Sequence, residues 1–174
     1  MNSYALSVGK FVMEYPERKV QNLARYLNES NLKDAFRKIR GSSAIGIDNV
    51  MKAEYEEDLE ENINNLHKRL IHMTYVPKPS RRVYIPKPGT DKKRPLGIPA
   101  IEDKIVQYVI ADILNAIYEP MFINESYGFR RNRSCHDAIV YLRNTLTVRK
   151  VNYVVDADIK GFFDHIDHGL LLEA

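Results

Sequence analysis

The chain has 174 residues, of which 44% are hydrophobic, so it is long enough to bury a core. Its single cysteine, Cys135, excludes an internal disulfide and a zinc site built on cysteines, and no apolar run is long enough for a membrane helix or a secretion signal, so we expect a cytoplasmic protein. The formal net charge of +3 is by itself only a weak indication of an acidic partner.

The N-terminal part of the sequence predicts short packed helices. Two of them come before Gly41, each with apolar residues at i, i+3, i+4 and i+7. Their stripes are Val20, Leu23, Ala24 and Leu27, and then Leu32, Ala35, Phe36 and Ile39. A third helix has the stripe Leu59, Ile63, Leu66 and Leu70. The acidic run from Glu54 to Glu61 would lie on its solvated face, and Pro77 and Pro79 are expected to end it.

A basic β-hairpin is predicted next. Apolar residues alternate with polar ones over residues 82–85 and again over residues 96–98, and a turn is expected over residues 89–93. Within residues 77–99, seven positive residues accompany a single acid. The positive charge of the chain is therefore concentrated on this hairpin.

Two longer helices are predicted after the hairpin. The first has the most apolar stripe of the chain, from Ile105 to Ile117, and ends at Glu119-Pro120, so we expect it to lie in the core. Ser134 and Asp137 have the spacing of a capping box, which predicts a second helix as far as about Arg149.

The segment from Tyr153 to His168 combines an apolar strand pattern with acidic residues. Val154, Asp156 and Asp158 would lie on one side of a strand that Lys160-Gly161 ends. Hard cations such as Mg²⁺ bind carboxylates that rigid strands hold in place, so Asp158 is a candidate metal ligand. The alternative is that Asp156 and Asp158 only end a strand in a polar turn. Asp164 and Asp167 are expected to be helix caps.

The last residues, Leu170 to Glu173, have the pattern of a helix that has barely begun. Such a helix would leave apolar surface uncovered, so we expect this chain to be the front part of a larger protein.

Several motifs resemble reverse transcriptases of the group II intron type. Residues 158–168, DIKGFFDHIDH, are similar to the first catalytic motif of that family. Further blocks follow the family's order: GSSAIGID at 41–48, RRVYIPKP at 81–88, RPLGIPAIEDKIVQ at 94–107 and SYGFRRNRSCHDA at 126–138. The family's second catalytic strand, a Tyr-x-Asp-Asp turn, would lie beyond Ala174.

The resemblance implies an α+β fold, that of right-hand polymerase fingers with the first part of the palm. It would be mostly helical, with a β-hairpin and the first catalytic palm strand. The implied domains are an N-terminal helical extension at residues 1–40, fingers at 41–125, and a segment at 126–174 that leads from the fingers into a truncated palm.

The resemblance also implies a catalytic metal site. The carboxylate of Asp158 would be the catalytic group and would bind Mg²⁺ together with the backbone carbonyl of Ile159. Phe163 would pack under the sugar of the incoming nucleotide, where a bulky ring rejects a 2′-hydroxyl. The enzyme would therefore prefer deoxynucleotides.

Nucleotide and RNA contacts are implied at other motifs. Arg81, Lys87 and Arg94 match the residues of the fingers that contact the incoming dNTP, although Lys92 or Lys93 could share this role and Arg82 is expected to be a solvated edge residue. RNA or template contacts are expected at Arg130, Arg133, Ser42 and Ile47. The alternative for the arginine block is a turn that buries Gly128 and Phe129.

The function implied is that of an RNA-directed DNA polymerase, from a group II intron retroelement, which also binds intron RNA as a splicing maturase. Its partners would be RNA, a primer-template duplex and dNTP, with a possible homodimer, in a bacterial-type cytoplasmic ribonucleoprotein. We expect the 174 residues alone to be inactive, because the Tyr-x-Asp-Asp motif is missing. The alternative is a non-catalytic RNA-binding or self-associating module.

Overall fold

A computed structural model of the chain describes residues 3–173. Over this range it contains seven α-helices, short 3-10 helices and one two-stranded antiparallel sheet, which confirms the α+β class. The chain divides into two compact units, Met1–Phe122 and Ile123–Ala174. None of the helices in residues 3–173 is both long and apolar enough to cross a membrane.

The first unit is built around one helical core. Its helices are α1 (Ser3–Glu14), α2 (Glu29–Lys38), α3 (Lys52–Glu57), α4 (Leu59–Ile71) and α5 (Ile101–Tyr118). Helix α5 packs against both α1 and α2, and α4 packs against α2. The largest fully buried side chains are Phe36, Leu32, Ile63, Leu66, Ile105 and Val109. Burial of each contributes about 2 kcal/mol relative to exposure to water. All six belong to the stripes predicted for α2, α4 and α5.

Two helix predictions in this unit need correction. The stripe from Val20 to Leu27 forms only a 3-10 turn, Leu23–Tyr26, because the left-handed Asn22 (φ 58°) precedes it and Asn28 starts the next helix. The Asn28 side chain accepts the N–H of Asn31 at 3.0 Å, which fixes the beginning of α2. Helix α4 ends at Ile71, well before the prolines, and Met73 then takes a left-handed conformation (φ 56°).

The predicted hairpin is confirmed. Strand β1 (Arg81–Pro86) pairs with β2 (Lys93–Ile98) in antiparallel register, with Ile85 opposite Arg94. The turn covers residues 87–92, and Gly89 supplies the positive φ of 74° that it needs. Lys93 was predicted in the turn but pairs with Pro86 in the sheet.

The approach to the hairpin is fixed to α5 by one buried carboxylate. The side chain of Asp103, which is 4% exposed, accepts hydrogen bonds from the Tyr75 hydroxyl and from the backbone N–H of Lys78 at 3.2 Å. Burial, followed by the bond to Asp103, raises the pKa of the Tyr75 hydroxyl. The chain that enters β1 is therefore anchored before the strand begins.

The second unit contains helices α6 (Cys135–Val148) and α7 (His168–Glu173). The predicted capping box is confirmed, because the Ser134 Oγ accepts the N–H of Asp137 at 3.2 Å and the Asp137 carboxylate accepts the N–H of Ser134 at 2.9 Å. None of residues 123–173 is buried.

The strand predicted before Asp158 is not formed. Residues 150–159 have neither helix nor strand, and the side chains of Val154, Val155 and Ile159 are 68%, 86% and 70% exposed. A strand is stabilised by a neighbouring strand that forms hydrogen bonds with its N–H and C=O groups. The described residues contain no strand besides β1 and β2. The alternating residues of this segment therefore have no neighbouring strand to form hydrogen bonds with and no core in which to bury their apolar side chains.

Candidate functional site

The hairpin places its basic residues on two different faces. In antiparallel pairing, residues opposite one another share a face, so Arg81, Val83, Ile85 and Arg94 lie on one side of the ribbon. Arg81 and Arg94 are separated along that face by four strand positions, about 13 Å. Arg82 and Lys93 lie on the opposite face. The hairpin thus brings Arg81 and Arg94 to one surface and separates Lys93 from them.

Lys87 lies at the hairpin turn, one residue beyond β1. Its N–H donates to the carbonyl of Lys92 at 2.9 Å, which closes the turn, and its side chain is exposed. Lys87 and Lys92 therefore both extend from the distal end of the hairpin, beyond Arg94.

Arg81 also has a structural contact. Its Nε donates to the backbone carbonyl of Ile45 at 2.9 Å, which joins the base of β1 to the loop over residues 41–48. The Lys104 ammonium donates to Ser43 Oγ at 2.9 Å and to the carbonyl of Ala44. Basic side chains thus hold this loop from both sides.

A glycine lets the same loop pack closely on the start of α5. A Cβ on Gly46 would lie 2.6 Å from Cα of Ala100 and 2.9 Å from its N, closer than side chains can approach backbone. The loop is therefore fixed at its centre, while Ser42 and Ile47, the predicted RNA contacts, are exposed on either side.

The loop forms one wall of a basic cavity of about 280 Å³. Its polar lining comes from Arg40, Ser42, Ser43, Lys104 and Tyr108. Burial lowers the pKa of the Lys104 ammonium, and the nearby Asp48 carboxylate opposes that shift. Such a cavity has the donors to take up an anionic oxygen.

In the second unit, the predicted RNA-binding arginines stabilise their own loop. Arg130 donates to the carbonyls of Ile123 and Ser126, both at 2.8 Å. Arg133 donates to the carbonyl of Asn124 at 2.7 Å, and its guanidinium lies 5.3 Å from the centre of the Tyr127 ring. These contacts show a structural role for both arginines.

The alternative for the arginine block, a turn that buries Phe129, is wrong. Phe129 takes a left-handed conformation (φ 57°) and its side chain is completely exposed. A bulky residue at positive φ is uncommon. The loop thus presents an aromatic ring beside arginines, which is the combination that stacks on bases and pairs with phosphates.

Asp158 lies in an open segment that ends in a tight turn. Both Asp156 and Asp158 are exposed, and Gly161 follows with a φ of 62°, which leads into the 3-10 helix Phe162–His165. The Phe162 and Phe163 rings meet edge to face at 5.3 Å, and Phe163 is 76% exposed.

The carboxylates after this turn have different roles. Asp167 lies before α7, and its Oδ1 accepts the N–H groups of Gly169 at 2.8 Å and Leu170 at 3.2 Å, so the predicted cap is confirmed. Asp164 lies within the 3-10 helix, whose N-cap is Gly161, so the prediction that Asp164 is a cap is wrong.

The donor atoms near Asp158 fit a hard cation, but only partly. A carboxylate and a backbone carbonyl are ligands that Mg²⁺ accepts. Among residues 3–173, however, no group of three or more His, Cys, Asp or Glu residues is placed to hold a metal ion. Asp158 by itself supplies a single carboxylate.

Sequence reasoning missed Lys104, Arg40 and Tyr108, which complete the basic cavity with Ser42. Lys104 belongs to the motif at residues 94–107, so the sequence alone marks it as a motif residue. The sequence does not show that Lys104 contacts a loop some sixty residues earlier, because such a contact depends on the tertiary fold.

Comparison with known proteins gives the family. The family model described as "Reverse transcriptase (RNA-dependent DNA polymerase)" matches residues 85–174, just over half of the chain. This match includes Arg94, the arginine loop and the Asp158 turn.

Similar proteins cover more of the sequence. The group II intron-encoded protein LtrA of Lactococcus lactis subsp. cremoris is 44% identical over 113 residues, which is 65% of this chain and 18% of that protein. Protein YkfC of Escherichia coli (strain K12) is 36% identical over 166 residues, 91% of this chain and 43% of that protein. The putative COX1/OXI3 intron 1 protein of Saccharomyces cerevisiae is 38% identical over 111 residues, 64% of this chain and 13% of that protein.

The chain spans less than half the length of each of these relatives. The names of two of these relatives include the word intron, in agreement with the resemblance drawn from the motifs. The motif order, the basic hairpin and the family match agree, and the chain therefore belongs to the reverse transcriptase family of RNA-dependent DNA polymerases.

Proposed function

We propose that the complete protein is an RNA-directed DNA polymerase of a group II intron that also binds intron RNA as a splicing maturase. The observation that carries the proposal is the family match over the Asp158 turn and Arg94, together with 44% identity to a group II intron-encoded protein. Residues 41–125 would form the fingers and residues 126–174 would lead into the palm. The test is synthesis of DNA by the purified complete protein on an RNA template.

Residues of the second unit would hold the divalent metal that reverse transcriptases use, which we propose is Mg²⁺. The Asp158 carboxylate and the Ile159 carbonyl are the ligands this chain offers. When bound, the metal would stabilise the negative charge on the attacking and leaving oxygens of phosphoryl transfer. Asp158 would offer its carboxylate to the metal from the segment just before the turn that Gly161 permits through its positive φ of 62°.

Phe163 would select the sugar. The ring lies two residues past Gly161, is 76% exposed, and is held edge to face by Phe162. An exposed and oriented ring can pack against a deoxyribose and leave no room for a 2′-hydroxyl. Phe163 is therefore proposed as the residue that favours deoxynucleotides.

The triphosphate would be bound by the hairpin of the first unit. Arg94 and Arg81 share one face, and Lys87 extends from the turn beyond them. Arginine offers a planar fork of donors to phosphate, and lysine a compact charge. Because Arg81 also donates to Ile45, it would both bind phosphate and position the loop.

Replacement of Arg94 by alanine in the complete protein should raise the KM for dNTP about tenfold or more, because a charge-assisted contact worth about 1.5–3 kcal/mol is lost. Arg82→Ala is the matched control: it removes the same charge from the opposite face of the same hairpin and should change the KM less than about twofold. Steady-state kinetics with one varied dNTP provide the comparison. Equal effects of the two substitutions would remove Arg94 from the nucleotide site.

Template or intron RNA would contact both units. In the first unit, exposed Ser42 and Ile47 flank a loop beside the basic cavity that includes Lys104. In the second unit, Arg130 and Arg133 shape the loop that presents Phe129 for stacking. The partners proposed are intron RNA, template RNA with its primer, and dNTP, in a bacterial-type cytoplasmic ribonucleoprotein.

The apolar surface of the second unit favours self-association as a second property. Its exposed apolar residues include Ile139, Val140, Leu142, Val155, Leu170 and Leu172, and none of residues 123–173 is buried. A monomer rarely leaves so much apolar surface in water. We expect the 174-residue chain to form homodimers, with a mass that rises with concentration in light scattering. A constant monomer mass up to high concentration would contradict this expectation.

A further inference from the structure

The loop over residues 41–48 contains neither helix nor strand and is held by side chains of other elements. The Lys104 ammonium, on α5, donates to the carbonyl of Ala44. The next carbonyl along the chain, that of Ile45, accepts the Nε–H of Arg81 at 2.9 Å. Two cations from different elements thus bind consecutive backbone carbonyls of one loop.

The two cations lie close together without a carboxylate to neutralise them. Neither Lys104 nor Arg81 forms a salt bridge with any residue between positions 3 and 173. Burial lowers the pKa of the Lys104 ammonium, the Asp48 carboxylate opposes that shift, and the positive charge of Arg81 adds to it. The two cations therefore repel each other, and their hydrogen bonds to the loop hold them in place in spite of that repulsion.

The bond to Ile45 leaves a defined part of the Arg81 guanidinium for a ligand. A guanidinium has five N–H donors in one plane. The loop uses only the Nε–H of Arg81, and the side chain is exposed. The two Nη groups at the end of the guanidinium have parallel N–H bonds that match two oxygens of a phosphate. The loop therefore fixes the plane of the guanidinium and leaves its fork open to a phosphate.

We propose that Lys104 is a positioning residue for the incoming nucleotide. By holding the Ala44 carbonyl, it fixes the neighbouring Ile45 carbonyl, which in turn orients the Arg81 fork toward the triphosphate. Gly46 makes this arrangement rigid, because the loop packs there against backbone at a distance that a Cβ would not allow. The inference rests on the proposed function in one respect, the binding of the triphosphate by Arg81.

The link from Lys104 to Arg81 can be tested without nucleotide, in the 174-residue chain. NMR measures how fast the Arg81 Nε–H exchanges with water, and the bond to Ile45 slows this exchange. Lys104→Met keeps an unbranched apolar stem but removes the donor, so the exchange should become about twofold faster or more. The matched control is Lys52→Met, which removes an equivalent bond, from the Lys52 ammonium to the carbonyl of Ile39 at 2.8 Å, shortly before the loop. The control should leave the exchange of the Arg81 Nε–H unchanged.

Steady-state kinetics of the complete protein test the consequence for nucleotide binding. Lys104→Met should raise the KM for dNTP about threefold or more and change kcat less than about twofold, because it weakens a contact of the bound nucleotide and leaves the chemical step intact. Lys52→Met should change neither constant. In a protein that already carries Arg81→Ala, Lys104→Met should raise the KM by less than about 1.5-fold, because both substitutions act on the same contact.

Thermal unfolding of each variant checks that the fold is retained. If Lys104→Met does not fold, Ser43→Ala takes its place, because it removes the other acceptor of the Lys104 ammonium, the Ser43 Oγ at 2.9 Å. It should change the exchange and the KM in the same direction but by smaller factors.

The outcomes separate this inference from the proposed function. If the unsubstituted complete protein makes no DNA, the proposed function fails, and the exchange measurement still decides whether Lys104 positions Arg81. Faster exchange in the Lys104 variant, with a rise in KM that disappears in the Arg81→Ala protein, supports the proposal. Unchanged exchange, an equal effect of Lys52→Met, or additive effects of Lys104→Met and Arg81→Ala would overturn it.

Discussion

Replacement of Asp158 by asparagine should abolish DNA synthesis by the complete protein. The substitution keeps the size of the side chain but removes the negative charge that a divalent cation needs, so the oxygens that gain charge during phosphoryl transfer lose their stabilisation. We expect a loss of about a thousandfold or more, in line with the removal of a principal electrostatic contact from an active site. Primer extension on an RNA template, at saturating dNTP and Mg²⁺, measures this loss.

Asp156→Asn is the matched control for that experiment. Asp156 is exposed two residues earlier in the same open segment, so the substitution makes the same chemical change with little expected effect on synthesis. Binding of a labelled primer-template duplex, measured separately, should be unchanged in both variants, because neither removes a positive charge. Retained synthesis by the Asp158 variant, or an equal loss in the Asp156 variant, would remove Asp158 from its proposed catalytic role. Only a lack of synthesis by the unsubstituted complete protein would favour the alternative of a non-catalytic RNA-binding module.

The elements predicted well are those whose determinants are local. Helix α2 has its stripe and its Asn28 cap, α6 has its capping box at Ser134, and the hairpin has two alternating strands around a glycine turn. Each of these signals lies within a few residues of the element it forms. Helix α1 has a comparable signal in Tyr4, Val8 and Val12, although no helix was predicted there.

The elements predicted wrongly depend on partners. The residues before Asp158 alternate as in a strand. A strand, however, is stabilised by hydrogen bonds to a neighbouring strand, and none of the described residues forms one beside this segment. The stripe from Val20 to Leu27 is too short to overcome the left-handed Asn22 and the helix start at Asn28. In both cases the periodicity was real, and the long-range or backbone context decided the structure.

In the candidate site, too, the features with local determinants could be predicted and the long-range contacts could not. Period 2 and the hairpin register suffice to put Arg81 and Arg94 on one face. The bond from Arg81 to Ile45, and those from Arg130 and Arg133 to carbonyls of their own loop, could not be predicted from residue types. An arginine in a motif has donors for phosphate and for carbonyls alike, and only the fold determines which of them it meets.

Replacement of Asp103 by alanine should cause the largest loss of stability among single substitutions near the hairpin. The buried carboxylate accepts hydrogen bonds from the Tyr75 hydroxyl and the Lys78 N–H, and both donors would be left unsatisfied in a cavity. We expect the free energy of unfolding to fall by about 3 kcal/mol. Urea unfolding of the 174-residue chain, followed by circular dichroism, gives this value directly.

The control for Asp103 is Asp91→Ala, which removes an exposed carboxylate at the hairpin turn and should change stability by less than about 0.5 kcal/mol. The comparison also tests how the fold supports the site. Because Asp103 fixes the chain that enters β1, its loss in the complete protein should raise the KM for dNTP even at temperatures where the variant remains folded. A stable Asp103→Ala variant with an unchanged KM would show that the hairpin is held in place by contacts other than this carboxylate.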